Sequence, residues 1–186
     1  MDIFAQIANY QPQNPQEKND QQVMVEAIRQ YPHNILLRKN KLAHLTSSAF
    51  VVNPARNKAL LVHHNILNTW VWPGGHADGD ADLLAVALRE AKEETGVCQV
   101  KPLLPTIAAL DILPVPAHIK NGQYVNAHLH LSVAYILVCD EAEAVQIKPD
   151  ENTGVRWFTR QQFTPTLFNP ADFSLYNKLL NRANHS

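Results

Sequence analysis

The stretch WPGGHADGDADLLAVALREAKEETGV, residues 72–97, places three glutamates close together after a pair of glycines. A helix over residues 80–95 puts Glu90, Glu93 and Glu94 on one face, because residues three and four apart are neighbours on a helix. These carboxylates fall in the last turns, where the helix dipole disfavours negative charge. One interpretation is an ordinary solvated acidic face. The other is a bound divalent cation, and magnesium prefers carboxylate oxygens.

The same helix has a second side and a defined end. Four apolar residues recur at helical spacing and predict the side that packs in the core: Leu84, Ala87, Leu88 and Ala91. Gly96 predicts the end of the helix. Gly74 and Gly75 predict a sharp turn of the backbone before the helix. That turn would expose a carbonyl oxygen as a further metal ligand.

The spacing of these residues resembles the Nudix box, G-x5-E-x7-R-E-U-x-E-E-x-G-U, in which U is a bulky aliphatic residue. Gly75 lies at the required distance, and six later positions match: Arg89, Glu90, Glu93, Glu94, Gly96 and Val97. Ala81 stands where the box has its first glutamate, which in the family pairs with the box arginine. Asp80 and Asp82 flank Ala81, and either one is a candidate to pair with Arg89 instead.

The resemblance covers residues 44–163 and implies an α/β fold. We expect a Nudix-type α/β/α sandwich with a mixed β-sheet, plus an N-terminal helical extension. The division that follows is an N-terminal helical extension and linker at residues 1–43 and a Nudix hydrolase domain at residues 44–186.

The resemblance also implies an activity. Nudix proteins mostly hydrolyse the pyrophosphate bond of a nucleoside diphosphate linked to another group. Glu90, Glu93 and Glu94 are the expected metal ligands, with the Gly74 carbonyl as a fourth, and Mg2+ is the expected ion, with Mn2+ as the alternative. Glu90 and Glu93 are grouped with Arg89 as catalytic residues; Glu90 either binds metal or orients water, and Arg89 holds the box by ion pairing.

Other residues near the box are candidates for contact with substrate. Gly74, Gly75, His76 and Trp72 form this expected set. His128 and His130 share one face of a predicted strand, and we expect them to converge with His76 on the active site. The alternative roles are structural: packing for Trp70 and Trp72, and ordinary polar positions for the histidines. Asp150 or Glu151 is a candidate general base in the loop before the last strand, with a solvated acidic turn as the alternative.

Two other functions compete with hydrolysis. A Nudix-fold sensor binds a nucleotide without cleaving it, but such proteins usually lose carboxylates of the box. Isopentenyl-diphosphate isomerase shares the fold and uses a His/Glu metal site with a catalytic cysteine, but its box is degraded. The three glutamates retained here favour the hydrolase over both.

Composition limits the partners and the location. The chain has 186 residues, 46% of them hydrophobic, and a formal charge of −1, so no overall basic field points to nucleic acid. Cys98 and Cys139 do not predict a disulfide framework. Residues 1–10 lack the pattern of a signal peptide, and no apolar run approaches the roughly 18–20 residues of a membrane span. We therefore expect a cytoplasmic protein with a small nucleotide substrate and no membrane partner; the family resemblance adds a homodimer.

The rest of the chain alternates between segments predicted as helices and segments predicted as strands. A helix is predicted from Asn14 as N-cap and Pro15 at the first helical position to the Tyr31-Pro32 step. A last helix is predicted after Asn169-Pro170. Strands are predicted over residues 46–52, 59–63, 70–72, 97–100, 106–112, 126–138 and 155–158. This order favours a mixed sheet covered by helices.

Overall fold

The computed structural model describes residues 2–120, 122–168 and 170–185. Its helices are α1 (Ile3–Asn9), α2 (Pro15–Gln30), α3 (Leu83–Thr95) and α4 (Pro170–His185). Its strands are β1 (Ala43–Val52), β2 (Lys58–His64), β3 (Thr69–Val71), β4 (Gly74–His76), β5 (Lys101–Pro102), β6 (Ala109–Val115), β7 (His118–Lys120), β8 (Gln123–Val125), β9 (His128–Val138) and β10 (Asn152–Thr159). Among the described residues, no helix is long and apolar enough to span a membrane.

The main sheet is mixed. Its strands run in the order β10-β2-β1-β9-β5, with β3 added to β2, β4 to β1 and β6 to β9. β1 and β9 are parallel over their whole paired length, from Ala43 opposite Leu129 to Val52 opposite Val138. The other neighbours in this sheet are antiparallel. β1 therefore lies at the centre and links the strands that carry the candidate site.

Helices cover both faces of this sheet. Side chains alternate between the faces along a strand, so Ala49 and Val51 of β1 pack in a cluster with residues of α1, α2 and α3. Phe50 and Val52 point the other way and pack with residues of α4. The predicted α/β/α sandwich with a mixed sheet is confirmed.

Several predicted element boundaries were wrong. The helix predicted from residue 80 begins at Leu83, because Asp82 is its N-cap. Residues 97–100 were predicted as a strand, but none of them is in a strand, and β5 begins at Lys101. Trp72 lies just after β3 rather than inside it. Asn169, part of the predicted start of the last helix, lies outside the described residues, and α4 runs from Pro170.

The N-terminal residues form two helices, and both pack on the sheet. Asn14 caps α2 as predicted, since its side chain accepts a hydrogen bond of 2.9 Å from the backbone N–H of Glu17. Ile7 of α1 and Met24 of α2 are fully buried in the same cluster as α3. The N-terminal segment is thus packed against the domain; the division at residue 43 stays a prediction.

A buried ion network joins α2 to α4. Glu17 is fully buried and accepts hydrogen bonds from the Arg182 guanidinium at 2.5 and 2.8 Å. Lys178 Nζ lies 3.1 Å from Glu17 Oε1 and 2.6 Å from Asp111 Oδ1. Burial by itself raises the pKa of Glu17, but the hydrogen bonds from Arg182 and Gln13 and the nearby cations outweigh it and hold that pKa below its usual range. Glu17 is therefore ionised at neutral pH.

Asp111 is the member of this network whose hydrogen bonding is incomplete. Its Oδ2 atom is buried without a hydrogen-bond partner among the described residues. Burial raises the pKa of Asp111 to about 6, against the opposing charge of Lys178. The folded state therefore binds the Asp111 proton more tightly than the unfolded state does, and ionising the group costs stability.

We predict that Asp111→Asn changes how stability depends on pH. Between about pH 4 and 6 the wild-type free energy of unfolding should fall relative to the variant as pH rises, because the folded state still holds the Asp111 proton that the unfolded state has already released. Above about pH 6 the difference should be constant. Urea titrations of both proteins at several pH values measure it. A difference that is flat from pH 4 to 7 would contradict the prediction.

Candidate active site

Helix α3 is fixed at both ends by the residues that flank it. The Asp82 side chain accepts a hydrogen bond of 3.0 Å from the backbone N–H of Ala85 and so caps the first turn. Gly96 ends the helix with φ 77°, a left-handed conformation that glycine adopts without strain, and its N–H donates to the Lys92 carbonyl at 2.9 Å. The stop predicted at Gly96 is confirmed.

The buried side of α3 differs from the predicted one. Leu83 and Val86 are almost fully buried, as are Ala87 and Ala91. Leu84 and Leu88, which were predicted for the core, are only partly buried. Glu94 shares the buried side with 4% exposure, whereas Glu93 is exposed. The three glutamates therefore do not share one solvated face. The buried face of the helix includes Glu94, which contacts β4.

Gly74 and Gly75 are needed for close approach and not for a turn. Both lie in β4, antiparallel to Ser47 and Ser48 of β1, and neither has a positive φ. The Gly74 N–H donates a 2.8 Å hydrogen bond to Glu94 Oε1. A Cβ atom at Gly74 would lie 2.7 Å from the Ser47 carbonyl oxygen, and one at Gly75 would lie 2.5 Å from Cδ of Glu90. The prediction of a sharp turn here is wrong.

We predict that Gly75→Ala displaces the Glu90 carboxylate while the fold survives. The added methyl meets the far end of a flexible side chain, and a misplacement of about 1 Å can cost up to about 100-fold in rate. We expect metal-dependent hydrolysis to fall by about 10- to 100-fold with a small drop in melting temperature. Adding Glu90→Ala should restore the melting temperature, since it removes the clash. Unchanged activity in Gly75→Ala would contradict the prediction.

Cations surround the exposed glutamate. Arg89 lies 3.4 Å from Glu90 and 3.9 Å from Glu93. Lys148, in the loop before β10, reaches Glu93 at 3.5 Å and Glu151 at 3.1 Å. These pairs are partly exposed, so each adds little stability. They hold Arg89 and Lys148 at the rim of the site.

Glu90 and Glu94 lie in surroundings that disfavour the ionised carboxylate. Burial raises the pKa of Glu94 to about 8, with Glu151 and Glu90 acting in the same direction and the Gly74 N–H opposing them. Burial and the charge of Glu93 also raise the pKa of Glu90. Carboxylates crowded in this way are the donors that a hard divalent cation prefers. The residues present therefore fit a magnesium ion.

The loop before β10 and the first residue of that strand lie beside α3, and that first residue was not indicated by the sequence. Asn152 is fully buried, and its Nδ2 donates a 2.9 Å hydrogen bond to the Glu94 carbonyl oxygen. Glu151, next to it, acts through its charge on both Glu90 and Glu94. Asp150 is exposed, and no contact joins it to the glutamates. Only the strand packing that brings this loop to α3 could have revealed Asn152.

Trp72 lies in the core. Its side chain is 9% exposed and packs edge-on against Tyr176 of α4, with ring centroids 5.7 Å apart. The backbone N–H of Trp72 also donates a hydrogen bond to the Tyr176 hydroxyl at 3.2 Å. Trp70 is half-buried, with Arg156 over its ring at 5.1 Å. Trp72 therefore packs against α4, and its expected contact with substrate stays a prediction.

Four imidazoles meet where β1, β4 and β9 lie side by side. This histidine cluster consists of His44, His76, His128 and His130. The parallel register pairs His44 directly with His130, and the ring centroids of His76 and His130 are 4.8 Å apart. His76, His128 and His130 lie together, and His44 was missed because no sequence signal reveals its pairing with β9. Contact of this cluster with substrate stays a prediction.

The sequence of the sheet and of α3 matches one family model. That model describes the NUDIX domain and matches residues 43–179. The chain belongs to the Nudix family. Comparison with curated protein sequences gave no significant match.

Comparison with solved structures found similar chains at low sequence identity. A hydrolase of the NUDIX family from Clostridium perfringens is 20% identical, with a TM-score of 0.53 over 74% of this chain and 96% of that one. An Ap4A hydrolase from C. elegans is 16% identical, with a TM-score of 0.48 over 76% and 95% of the two chains. At these identities the likeness concerns the fold alone.

The Nudix box of this chain departs from the family pattern at Ala81, and Asp80 and Asp82 divide the tasks there. Asp80 lies 3.7 Å from Arg89. Asp82 is occupied as the cap of α3. The ionic partner of the box arginine thus comes from one residue earlier in the chain, at an exposed and weaker distance.

Proposed function

We propose that this Nudix protein is a metal-dependent hydrolase that cleaves the pyrophosphate bond of a nucleoside diphosphate linked to another group. The observation that carries the proposal is the set of Glu90, Glu93 and Glu94 on α3, with Glu90 and Glu94 packed against the glycines of β4. A pyrophosphate is anionic, so attack by water requires neutralisation of its charge. Crowded carboxylates beside an open glycine strand suit that task through a shared cation.

Glu90, Glu93 and Glu94 would hold Mg2+, with the Gly74 carbonyl as a further ligand and Mn2+ as the alternative ion. When bound, the ion neutralises phosphate charge and lowers the pKa of a coordinated water. The Gly74 N–H fixes the Glu94 carboxylate in place through its 2.8 Å hydrogen bond. Arg89 holds the outer carboxylates by ion pairing.

Two carboxylates are candidates to take the proton from the attacking water. Glu90 packs against Gly75, where an added Cβ atom would lie 2.5 Å from the Glu90 Cδ atom. Glu151 is favoured over Asp150, because its charge acts on Glu90 and Glu94. Gly75 and His76 stay in the proposed set of substrate contacts, since they continue the strand that faces α3.

The test is a hydrolysis screen with Mg2+ and the full chain. The compounds are nucleoside triphosphates, nucleotide sugars, ADP-ribose, dinucleoside polyphosphates and isopentenyl diphosphate, with products separated by chromatography. We expect Mg2+-dependent cleavage between phosphorus atoms in at least one nucleotide class. Tight nucleotide binding without cleavage would instead identify a sensor, and isomerisation of isopentenyl diphosphate without phosphate release would overturn the hydrolase.

The positions of the cysteines argue against the isomerase. Cys139 follows the end of β9, nine residues after His130, which corresponds to about 30 Å along an extended strand. Cys98 lies at the same end, since its backbone N–H and the Cys139 thiol both contact Glu143. Neither thiol is near the histidine cluster, where a cysteine acting with a His metal site would be needed.

The proposal includes a cytoplasmic location, a small nucleotide as substrate and a homodimer. The location is supported by the two cysteines, both free in the structure, because secreted proteins more often carry disulfides. Size-exclusion chromatography with light scattering tests the dimer.

A further inference from the structure

We propose that the histidine cluster is a binding site for a transition-metal ion, with Zn2+ as the expected ion. The site uses none of the glutamates of the Nudix box as ligands, and the proposal does not rest on the proposed function. Its ligands are His44, His76 and His130, each of which offers one imidazole nitrogen. Imidazole suits zinc, copper and nickel, whereas magnesium prefers oxygen donors, so the chain would sort two kinds of ion into two sites.

The first argument is geometric. The nitrogen atoms of the three histidines all lie within 4.8 Å of one another. A tetrahedral zinc with metal–nitrogen distances of about 2.0–2.1 Å separates its ligands by about 3.3 Å. Closing the widest pair therefore requires a movement of at most about 1.5 Å, which rotation of the imidazoles can supply. The rings are also held by three different strands, so the site is formed by the fold and not by one flexible loop.

The second argument is an atom with no partner. His44 is 3% exposed, and its Nε2 has no hydrogen bond among the described residues. Its Nδ1 lies 3.0 Å from the Asn40 carbonyl oxygen. A carbonyl only accepts, so Nδ1 carries the proton and Nε2 presents a bare lone pair. This is the arrangement of metal-binding histidines, in which the second nitrogen donates to a carbonyl, and a buried lone pair without a partner is otherwise costly.

His128 lies beside the same site, two residues before His130 on β9. Its Nδ1 lies 2.8 Å from the Asn126 carbonyl oxygen, which leaves Nε2 as the free nitrogen. That Nε2 lies 3.3 Å from Nε2 of His130, the separation of about 3.3 Å expected for two ligands of one tetrahedral ion. His128 therefore lies beside one ligand, His130, and outside the group of three whose nitrogens all lie within 4.8 Å of one another.

The surrounding charges permit a cation there. Arg38 and Lys120 act on His76 as positive charges. Arg38 is held by Asp78 through a 2.8 Å hydrogen bond from its Nε. The pair is close to neutral as a whole.

The site has a structural consequence for the neighbouring strand. β4 is three residues long and carries Gly74, Gly75 and His76. A metal held by His76, His44 and His130 would fasten β4 to β1 and β9. The glycines that pack against Glu90 and Glu94 would then be positioned from both ends.

The test measures metal binding by the untagged full chain. After removal of metals, the protein is dialysed against Zn2+ with Mg2+ in excess, and bound zinc is measured by elemental analysis. We expect about one zinc per chain. His76→Gln and His130→Gln should weaken binding by more than the roughly 10- to 100-fold that loss of an outer-shell partner costs. His33→Gln, at an exposed histidine outside the cluster, and Glu93→Gln should bind zinc as the wild type does.

Cobalt provides a readout that needs no variant. Co2+ in four-coordinate nitrogen sites absorbs visible light far more strongly than six-coordinate Co2+ does, so we expect an intense spectrum from the wild-type protein and its loss on zinc addition. No zinc retained by the wild type, a weak six-coordinate spectrum, or zinc lost in Glu93→Gln but kept in His76→Gln would each overturn the proposal.

Discussion

Glu93→Gln should reduce Mg2+-dependent hydrolysis by about 100- to 1,000-fold, the effect of removing one major electrostatic stabiliser of a transition state. The amide keeps the shape of the side chain but removes its charge and weakens its hold on a divalent ion. Glu93 is exposed, and its pairs with Arg89 and Lys148 are exposed as well. The stability cost should therefore stay below about 1 kcal/mol. Steady-state kinetics over a Mg2+ series and a thermal melt measure both quantities.

Glu26→Gln is the matched control, because Glu26 is an exposed helical glutamate outside the Nudix box. It should match the wild type in rate and in melting temperature. If Glu93→Gln hydrolysed substrate at the wild-type rate while well folded, its assignment as a metal ligand would be wrong.

Glu17→Ala should destabilise the fold by about 3 kcal/mol, the lower end of the cost of removing one partner from a buried ion pair. Arg182 then loses two hydrogen bonds to a carboxylate while 8% exposed. Lys178 keeps its contact with Asp111 at 2.6 Å, which limits the loss. At about 2–4 °C per kcal/mol for a chain of this size, the melting temperature should fall by about 6–12 °C.

Two further variants separate the ion pair from simple loss of packing. Glu26→Ala on the same helix removes an exposed carboxylate and should change the free energy of unfolding by no more than about 0.5 kcal/mol. Glu17→Met with Arg182→Met replaces the pair by apolar side chains and should recover much of the lost stability. A Glu17→Ala protein as stable as Glu26→Ala would show that the network is not stabilising.

The sequence was sufficient for the family and for the helix that carries the carboxylates. The box spacing is long and local, so Glu90, Glu93 and Glu94 could be placed on α3 without knowledge of the sheet. The ends of α3 are also set by local residues, since Asp82 and Gly96 act within one turn of the helix. The end at Gly96 was predicted, whereas the start was placed at residue 80 instead of Leu83.

What the sequence could not provide depends on contacts between distant strands. Gly74 and Gly75 suggested a turn, but their small size serves the approach of Ser47 and Glu90 from other elements. His44 was overlooked because its partner lies 86 residues later, across a parallel strand pair. No residue pattern within β1 predicts which strand will lie beside it.

The link between Glu17 and Arg182 spans 165 residues. A ribosome adding about 5–20 residues per second needs roughly 8–33 s to supply the second partner after the first. During that interval the acidic side chain of α2 has no guanidinium to pair with, and α2 cannot bury it at low cost. The packing of α2 is therefore complete only after α4 has been synthesised.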